Sequence, residues 1–485
     1  MPRAIKRRSP GLEIGLTEKE SFFPGETIIG TVSRSLHIVD PEARLTIRFR
    51  GSAKVKLEVV RGGGQNQSRQ IYRRRINFFE RDVTQQLYRG PIHIPENPAE
   101  PLTWPFAITI PPLAHQRMFE SGAPDTKYLK PTDAGAYELP ATFSNGFGSR
   151  DEFYVEYVLD ATLRDSKGNT IEAVLPITIL RSYTPSPINE FGIQHHLGQY
   201  RQVSTFLLDP AYQGTELSLK QKAKEFFQFS TVPTLIFALE VTYPTLVQLG
   251  HPEPIPFHFR AKLRDRGTSD IVRGTDPALI VTRFRVKLKE FSTGIVPGTF
   301  SNHEATSSVK WNLVKWTGSV PQAYSVSRPP SRQPSPAPSS SRDAVEATRG
   351  ESSTKKSDAS SAEKIARSTL EPPPPDYAAE SSDWEETPPP DADTLIIPWE
   401  SAMLPLDIGQ ALGIRIPLKP KLSTNRIHPD FKIVSIKTHH MLTWEMHISV
   451  AGEECKFEAT RKVEILGPSH DDLVTRQRLG RLTFT

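Results

Sequence analysis

Nucleophiles and metal ligands are the first residues to weigh. The single cysteine, Cys455, follows Glu453 and Glu454 in AGEECKF. Neighbouring carboxylates disfavour a thiolate, so nucleophilic chemistry is not expected there. One cysteine also excludes an intramolecular disulfide framework and a Cys-rich zinc site, and it fits a reducing compartment. His195-His196 and His439-His440 are adjacent pairs; on a strand such neighbours point to opposite faces, which suits shared metal ligation poorly. Gly62-Gly63-Gly64 reads as a hairpin tip rather than a phosphate cradle, and Asn66-Gln67-Ser68 as a glycosylation acceptor without a signal peptide to bring it into use. GxSxG elbows, P-loops, HExxH and a strand-linked GxGxxG are all missing from the sequence. No catalytic residue, metal site or cofactor is expected, and the chain does not read as an enzyme.

Recognition chemistry is better represented. Pro374-Pro375-Asp376-Tyr377, preceded by Leu370, Glu371, Pro372 and Pro373, is a PPxY sequence. Consecutive prolines hold a polyproline II helix whose ordering entropy is already spent, so Pro374 and Pro375 can lie in an aromatic groove while the Tyr377 ring fills an adjoining pocket. That is the ligand of a WW domain. Lys355, Lys356 and Lys364 lie nearby, within reach of an enzyme docked on this motif and expected to accept ubiquitin if that enzyme is a ligase, and Ser335-Pro336 and Thr387-Pro388 fit proline-directed phosphorylation.

These short sequences need a frame to carry them. The chain has 485 residues, long enough for two or three domains with real cores. Lys+Arg 60 against Asp+Glu 55 gives a net charge of +5, too small a bias to mark a dedicated nucleic-acid binder. The basic start MPRAIKRRSP runs into Glu13 and Glu18 rather than an apolar core, so no secretory signal is expected. Prolines and charges interrupt the apolar stretches 232–250 and 395–418, so no membrane span is expected either, and a soluble cytoplasmic protein follows.

Apolar residues recur with period two. Leu45, Ile47 and Phe49 alternate with Arg44, Thr46, Arg48 and Arg50, and Phe153, Val155, Tyr157, Leu159, Ala161 and Leu163 take every second place. Phe257, Phe259, Ala261 and Leu263 repeat the pattern, as do Phe284, Val286 and Leu288, and Trp444, Met446, Ile448 and Val450. These are half-buried strands. The one helical candidate is 216–229, where Leu217, Leu219, Ala223, Phe226 and Phe227 make an amphipathic turn or two. Many short strands without βαβ alternation predict an all-β protein of antiparallel sandwiches. The stretch 321–394 is rich in Ser and Pro and poor in strong apolar residues, so it is expected to be a disordered insert.

Several strands carry a resemblance. FPGETIIGTV (23–32), WPFAITIP (104–111), YELPATF (137–143) and FYVEYVLDATL (153–163) resemble, in order, the strands of an arrestin N-domain. LIFALEVTYP, GIRIPLKP, IKTHHMLTWEMHISV and KFEATRKVEIL are similar to an arrestin C-domain, although LGHPEPIPFHF stands where the family often repeats a Pro-Gly-Glu turn. The resemblance implies two immunoglobulin-like antiparallel β-sandwiches. On that reading 1–10 is a flexible N-terminus, 11–182 the N-domain and 183–224 an inter-domain connection. The C-domain is split into 225–320 and 395–467 around the insert, and 468–485 is a tail.

Arrestin-related trafficking adaptors resemble this chain in both the double sandwich and the PPxY. The resemblance implies recruitment of a HECT-type ubiquitin ligase through its WW domains to the cytosolic tails of membrane-protein cargo, promoting endocytosis from the plasma membrane or endosomes. Two basic rows, Arg260, Lys262 and Arg264, and Arg283, Arg285, Lys287 and Lys289, would form one cationic surface for cargo or anionic lipid if their strands were neighbours. Solvation of a sheet exterior also explains such rows. A ligase-independent cargo-sorting subunit resembling those of retromer, and a β-sandwich hydrolase, are the alternatives.

Overall fold

The computed structural model describes residues 11–17, 21–61, 68–96, 98, 100–120, 127–145, 150–181, 184–227, 229–298, 301–318, 394–417 and 427–471. The first half runs through β1 (Leu12–Leu16), β2 (Ser21–Phe22), β3 (Thr27–Arg34), β4 (Ile38–Arg61), β5 (Ser68–Asn77), β6 (Val83–Ile94), β7 (Leu102–Thr109), β8 (Phe143–Asn145), β9 (Glu152–Arg164) and β10 (Thr170–Ile179). The second half opens with β11 (Ile193–Leu197), β12 (Arg201–Ser204), α1 (Leu219–Phe226), β13 (Thr234–Pro244), β14 (Leu246–Gln248), β15 (His258–Leu263), β16 (Leu279–Val296) and β17 (His303–Thr317). It closes with β18 (Leu395–Ile397), β19 (Leu406–Asp407), α2 (Ile408–Ala411), β20 (Phe431–Lys432), β21 (Ile436–Val450) and β22 (Glu453–Leu466). The protein is all-β.

Each half holds two sheets. In the first, β1-β3-β7 faces β2-β10-β9-β4-β5, with β6 also on β4 and β8 on β9. In the second, β11-β13-β15-β19, with β12 also on β13, faces β14-β22-β21-β16-β17, to which β18 and β20 add. Pairing is antiparallel except β2 with β10 and β14 with β22. The period-two residues meet between the sheets: Leu45, Ile47, Phe49, Phe153, Val155 and Leu159 pack with Leu12, Ile28, Val32 and Trp104. Phe257, Phe259, Phe284, Val286, Trp444 and Met446 share the second core. Burying each such side chain stabilises by about 1.5–3 kcal/mol over leaving it exposed, which is what holds the alternating pattern in register.

Local turn chemistry also follows the residue types. The Phe23 carbonyl accepts from Glu26 N–H at 3.1 Å across Pro24-Gly25, and Gly25 has φ +86°. This is a type II turn, in which proline presets the first central φ and glycine takes the positive one. β3 starts immediately afterwards.

Two elements differ from expectation. The stretch read as an inter-domain connection contains β11 and β12, which pair with β13 along its length. IQHHL lacks alternation because an edge strand with both faces wet needs none. The helix is shorter than 216–229. Ser218 and Gln221 close a capping box at its start, which fixes α1 to begin at Leu219.

The halves interlock. Val296, Ile433, Val434 and Ile436 come from the second half yet pack in the first half's core. β16 crosses β4 and β9 at Gly294, where an added Cβ would overlap the Phe153 ring and press on Val55. Tyr128 OH donates to Glu304 Oε1 at 2.9 Å, and Lys437 Nζ lies 3.2 Å from the same oxygen and 4.4 Å from the Tyr128 ring centroid. Burial, with the Glu304 carboxylate, pushes the Tyr128 phenol well above its ordinary value.

Candidate functional site

The basic rows occupy opposite sides of the second half, a correction to the single surface that neighbouring strands would have made. β15 and β16 belong to different sheets. Their apolar sides face each other, with Phe259 and Phe284 ring centroids 5.7 Å apart, so their basic sides point away from one another. On the β15 side, Arg260 stands across from Glu240 and His258 from Asp407, and that face is mixed in sign.

The β16 side is more uniform. Arg283, Arg285, Lys287 and Lys289 share it with Lys315 and Lys310 of β17 by direct register. On the other flank, β21 and β22 bring Lys456 and Lys462 to the same face, with Glu445, Glu454, Glu458 and Glu464 as its acidic members. Hydrogen bonding from His447, with Lys456 beside it, holds the Glu445 carboxyl below its ordinary value against its partial burial. Such an array raises the local concentration of anions, an effect that weakens as salt is added. In the first half, four cations are paired in place: Arg50 Nε lies 2.8 Å and Arg48 Nη2 3.3 Å from Asp160, and Lys54 and Lys56 pair with Glu156 and Glu152.

A buried charge network in the second half escaped the sequence reading. Glu290, 1% exposed, accepts from His428 Nδ1 at 3.1 Å, from the His428 backbone N–H at 3.2 Å and from Ser292 Oγ at 3.2 Å. His440, fully buried, sends Nδ1 to Asp430 at 2.5 Å and turns Nε2 to Glu290 at 3.4 Å. Asp430 also accepts from the Ile465 N–H at 3.2 Å. Burial alone would keep Glu290 protonated, but the charge and hydrogen bonds of His428 and His440 outweigh it and hold the carboxyl down at about 2. Burial likewise opposes a charged His440, and the Asp430 hydrogen bond together with the neighbouring Glu290 carboxylate overcomes it, raising the imidazole to about 9.

The network sits against the seam. The His428 ring meets Phe143 of the first half edge-on at 4.6 Å, and Phe143 also meets Phe431 at 4.8 Å. A signal for it existed in the sequence: Glu290 continues the apolar phase of Phe284, Val286 and Leu288, and His440 stands in the phase of Leu442, Trp444 and Met446. An ionisable residue in a core phase requires partners. His439, on the opposite face of β21, stacks on Phe291 at 5.1 Å, so the adjacent histidines do diverge.

Among the described residues, no group of three or more His, Cys, Asp and Glu is arranged to hold a metal ion, and no helix is long and apolar enough to cross a membrane. The Cys455 thiol is pushed up by burial and by Glu453 and Glu454, against the opposing charge of Arg201. Pro374, Pro375 and Tyr377, with Lys355, Lys356 and Lys364, lie outside the described residues, as does most of the 321–394 stretch read as a disordered insert. Its two ends are placed. β17 ends with Thr317 opposite Arg283, and β18 begins with Leu395 opposite Val281, so the chain leaves and rejoins β16 two residues apart. No protein-family model and no curated protein matches the chain.

Proposed function

We propose that this chain is an arrestin-like adaptor that presents a PPxY to the WW domains of a HECT-type ubiquitin ligase while its folded halves engage the cytosolic tail of a membrane protein. One observation carries the reading. The segment holding Pro374, Pro375 and Tyr377 departs from Thr317 and returns at Leu395 on neighbouring positions of one strand. A ligand on such an excursion can be gripped without disturbing either core. It raises the effective concentration of ligase at cargo, which is a tethering mechanism and requires no chemistry of the adaptor.

Within this reading the β16 face, with Arg283, Arg285, Lys287 and Lys289, is the anion-binding side suited to phosphorylated or acidic tails. Arg260 and Lys262 lie on the opposite sheet, with Arg264 on the turn just after their strand, and serve a separate contact. The test is capture of the full chain by immobilised WW domains. Tyr377→Ala should abolish capture and cargo ubiquitination in a reconstituted ligase reaction, and capture at the parental level would refute ligase recruitment.

A further inference from the structure

Helix α1 is inside out. At about 100° per residue, Leu219, Ala223, Phe226 and Phe227 share one side, and Gln221 and Glu225 the other. On a domain surface the apolar side would be expected to face the core. Here Glu225 is the inward residue, accepting from Thr205 Oγ1 at 2.8 Å and from the Phe206 N–H at 2.7 Å, two groups at the rim of the second half. No residue of the helix is buried. Leu219 is 87%, Phe226 82% and Phe227 69% exposed, and Phe229 just beyond is 54% exposed. The rings touch chiefly one another: Phe226 meets Phe227 edge-on at 5.3 Å, and Phe227 meets Phe229 at 6.4 Å.

The charges around this ridge select its occupant. Lys220 and Lys222 are exposed and Lys224 half-buried, flanking the apolar side. Among the described residues, none of the three has an ion-pair partner in Asp or Glu. The same end of the sheet carries Arg264 and Arg266, both exposed, on the turn whose backbone bonds Ile236 and Thr234 at the start of β13, the strand into which α1 leads. A second copy docking by a two-fold axis would set lysines against lysines. A negatively charged plane would neutralise them all while accepting rings that have no polar tip. We propose that α1 is a membrane-surface anchor: Phe226, Phe227 and Phe229 enter the acyl boundary of an anionic bilayer, and Lys220, Lys222 and Lys224 meet its headgroup phosphates. The inference stands on this helix and does not depend on ligase recruitment.

The test uses the full chain with vesicles of phosphatidylcholine alone and of phosphatidylcholine with phosphatidylserine, separated by flotation. The parent should float with the second and not the first. Phe226→Ser/Phe227→Ser/Phe229→Ser should weaken binding by about tenfold or more, since each lost ring removes apolar burial. Lys220→Glu/Lys222→Glu/Lys224→Glu should abolish it, with unfolding midpoints little changed because no residue of the helix is buried. A direct probe guards against folding defects. In a Cys455→Ser background, Phe227→Cys carrying an environment-sensitive dye should shift to the blue when phosphatidylserine vesicles are added. Vesicle binding of the Phe variant at the parental level, an unshifted dye, equal binding to neutral vesicles, or a Phe-dependent dimer without vesicle binding would each overturn the proposal.

Discussion

Replacing Glu290 by glutamine tests the reading of the buried network most directly. The side chain keeps its shape and one acceptor oxygen for His428, but the charge opposite two imidazoles is gone. His440 retains Asp430 at 2.5 Å, so the loss falls at the low end of the range for breaking a buried pair, about 3 kcal/mol. Raising His440 from 6.5 to about 9 corresponds to about 3 kcal/mol of favourable interaction shared between Asp430 and Glu290, so the part that runs through this imidazole is smaller than that figure when Glu290 alone is removed. The pH dependence has a definite sign. His440's contribution is complete below its ordinary 6.5 and is lost as pH rises through about 9. Glu290's contribution is complete above its ordinary 4.5 and is lost as pH falls through about 2. Glu290→Gln should therefore lower stability near neutrality and draw the alkaline decline toward lower pH, since Asp430 alone then supports the imidazolium. Trp311, Trp316, Trp399 and Trp444 all sit in the second core, so tryptophan fluorescence in urea titrations between about pH 5 and 10 follows this half. A destabilisation below about 1 kcal/mol with an unmoved alkaline limb would refute the account.

Two further outcomes follow from the seam and the thiol. Gly294→Val should force Phe153 and Val55 apart and separate the halves, costing about 1–3 kcal/mol and showing as faster proteolysis between them, while Thr293→Ser next to it should leave the digestion pattern unchanged. Burial and the adjacent carboxylates raise the Cys455 thiol, so iodoacetamide should alkylate the folded chain at neutral pH several-fold more slowly than the urea-unfolded chain, about an order of magnitude at most. Equal rates in the two states would show that the thiol is not shielded.

Much of this molecule is readable from its residues in order, because strand alternation and turns are local. Whether a side chain at position i shares a face with i+2 depends only on the pleat, so Leu45, Ile47 and Phe49 or Trp444, Met446 and Ile448 declare their burial without reference to anything distant. Pro24-Gly25 likewise dictates its own turn. Ser218 and Gln221 likewise close the box that starts α1. The PPxY is legible for the same reason: the pattern from Pro374 to Tyr377 is complete in four consecutive residues.

What the residues in order left open is which strand lies beside which. Arg260 and Arg285 look alike along the chain, and only the division of β15 and β16 between facing sheets sends them to opposite sides. Glu290, His428, Asp430 and His440 span 150 positions and meet through β16, β21 and the segment before β20. The polarity of α1 was also a tertiary outcome, decided when Glu225 rather than Phe226 found partners at Thr205 and Phe206. Alternation is set by the backbone at each residue, whereas adjacency is set by pairings across tens to hundreds of residues that the local backbone does not encode.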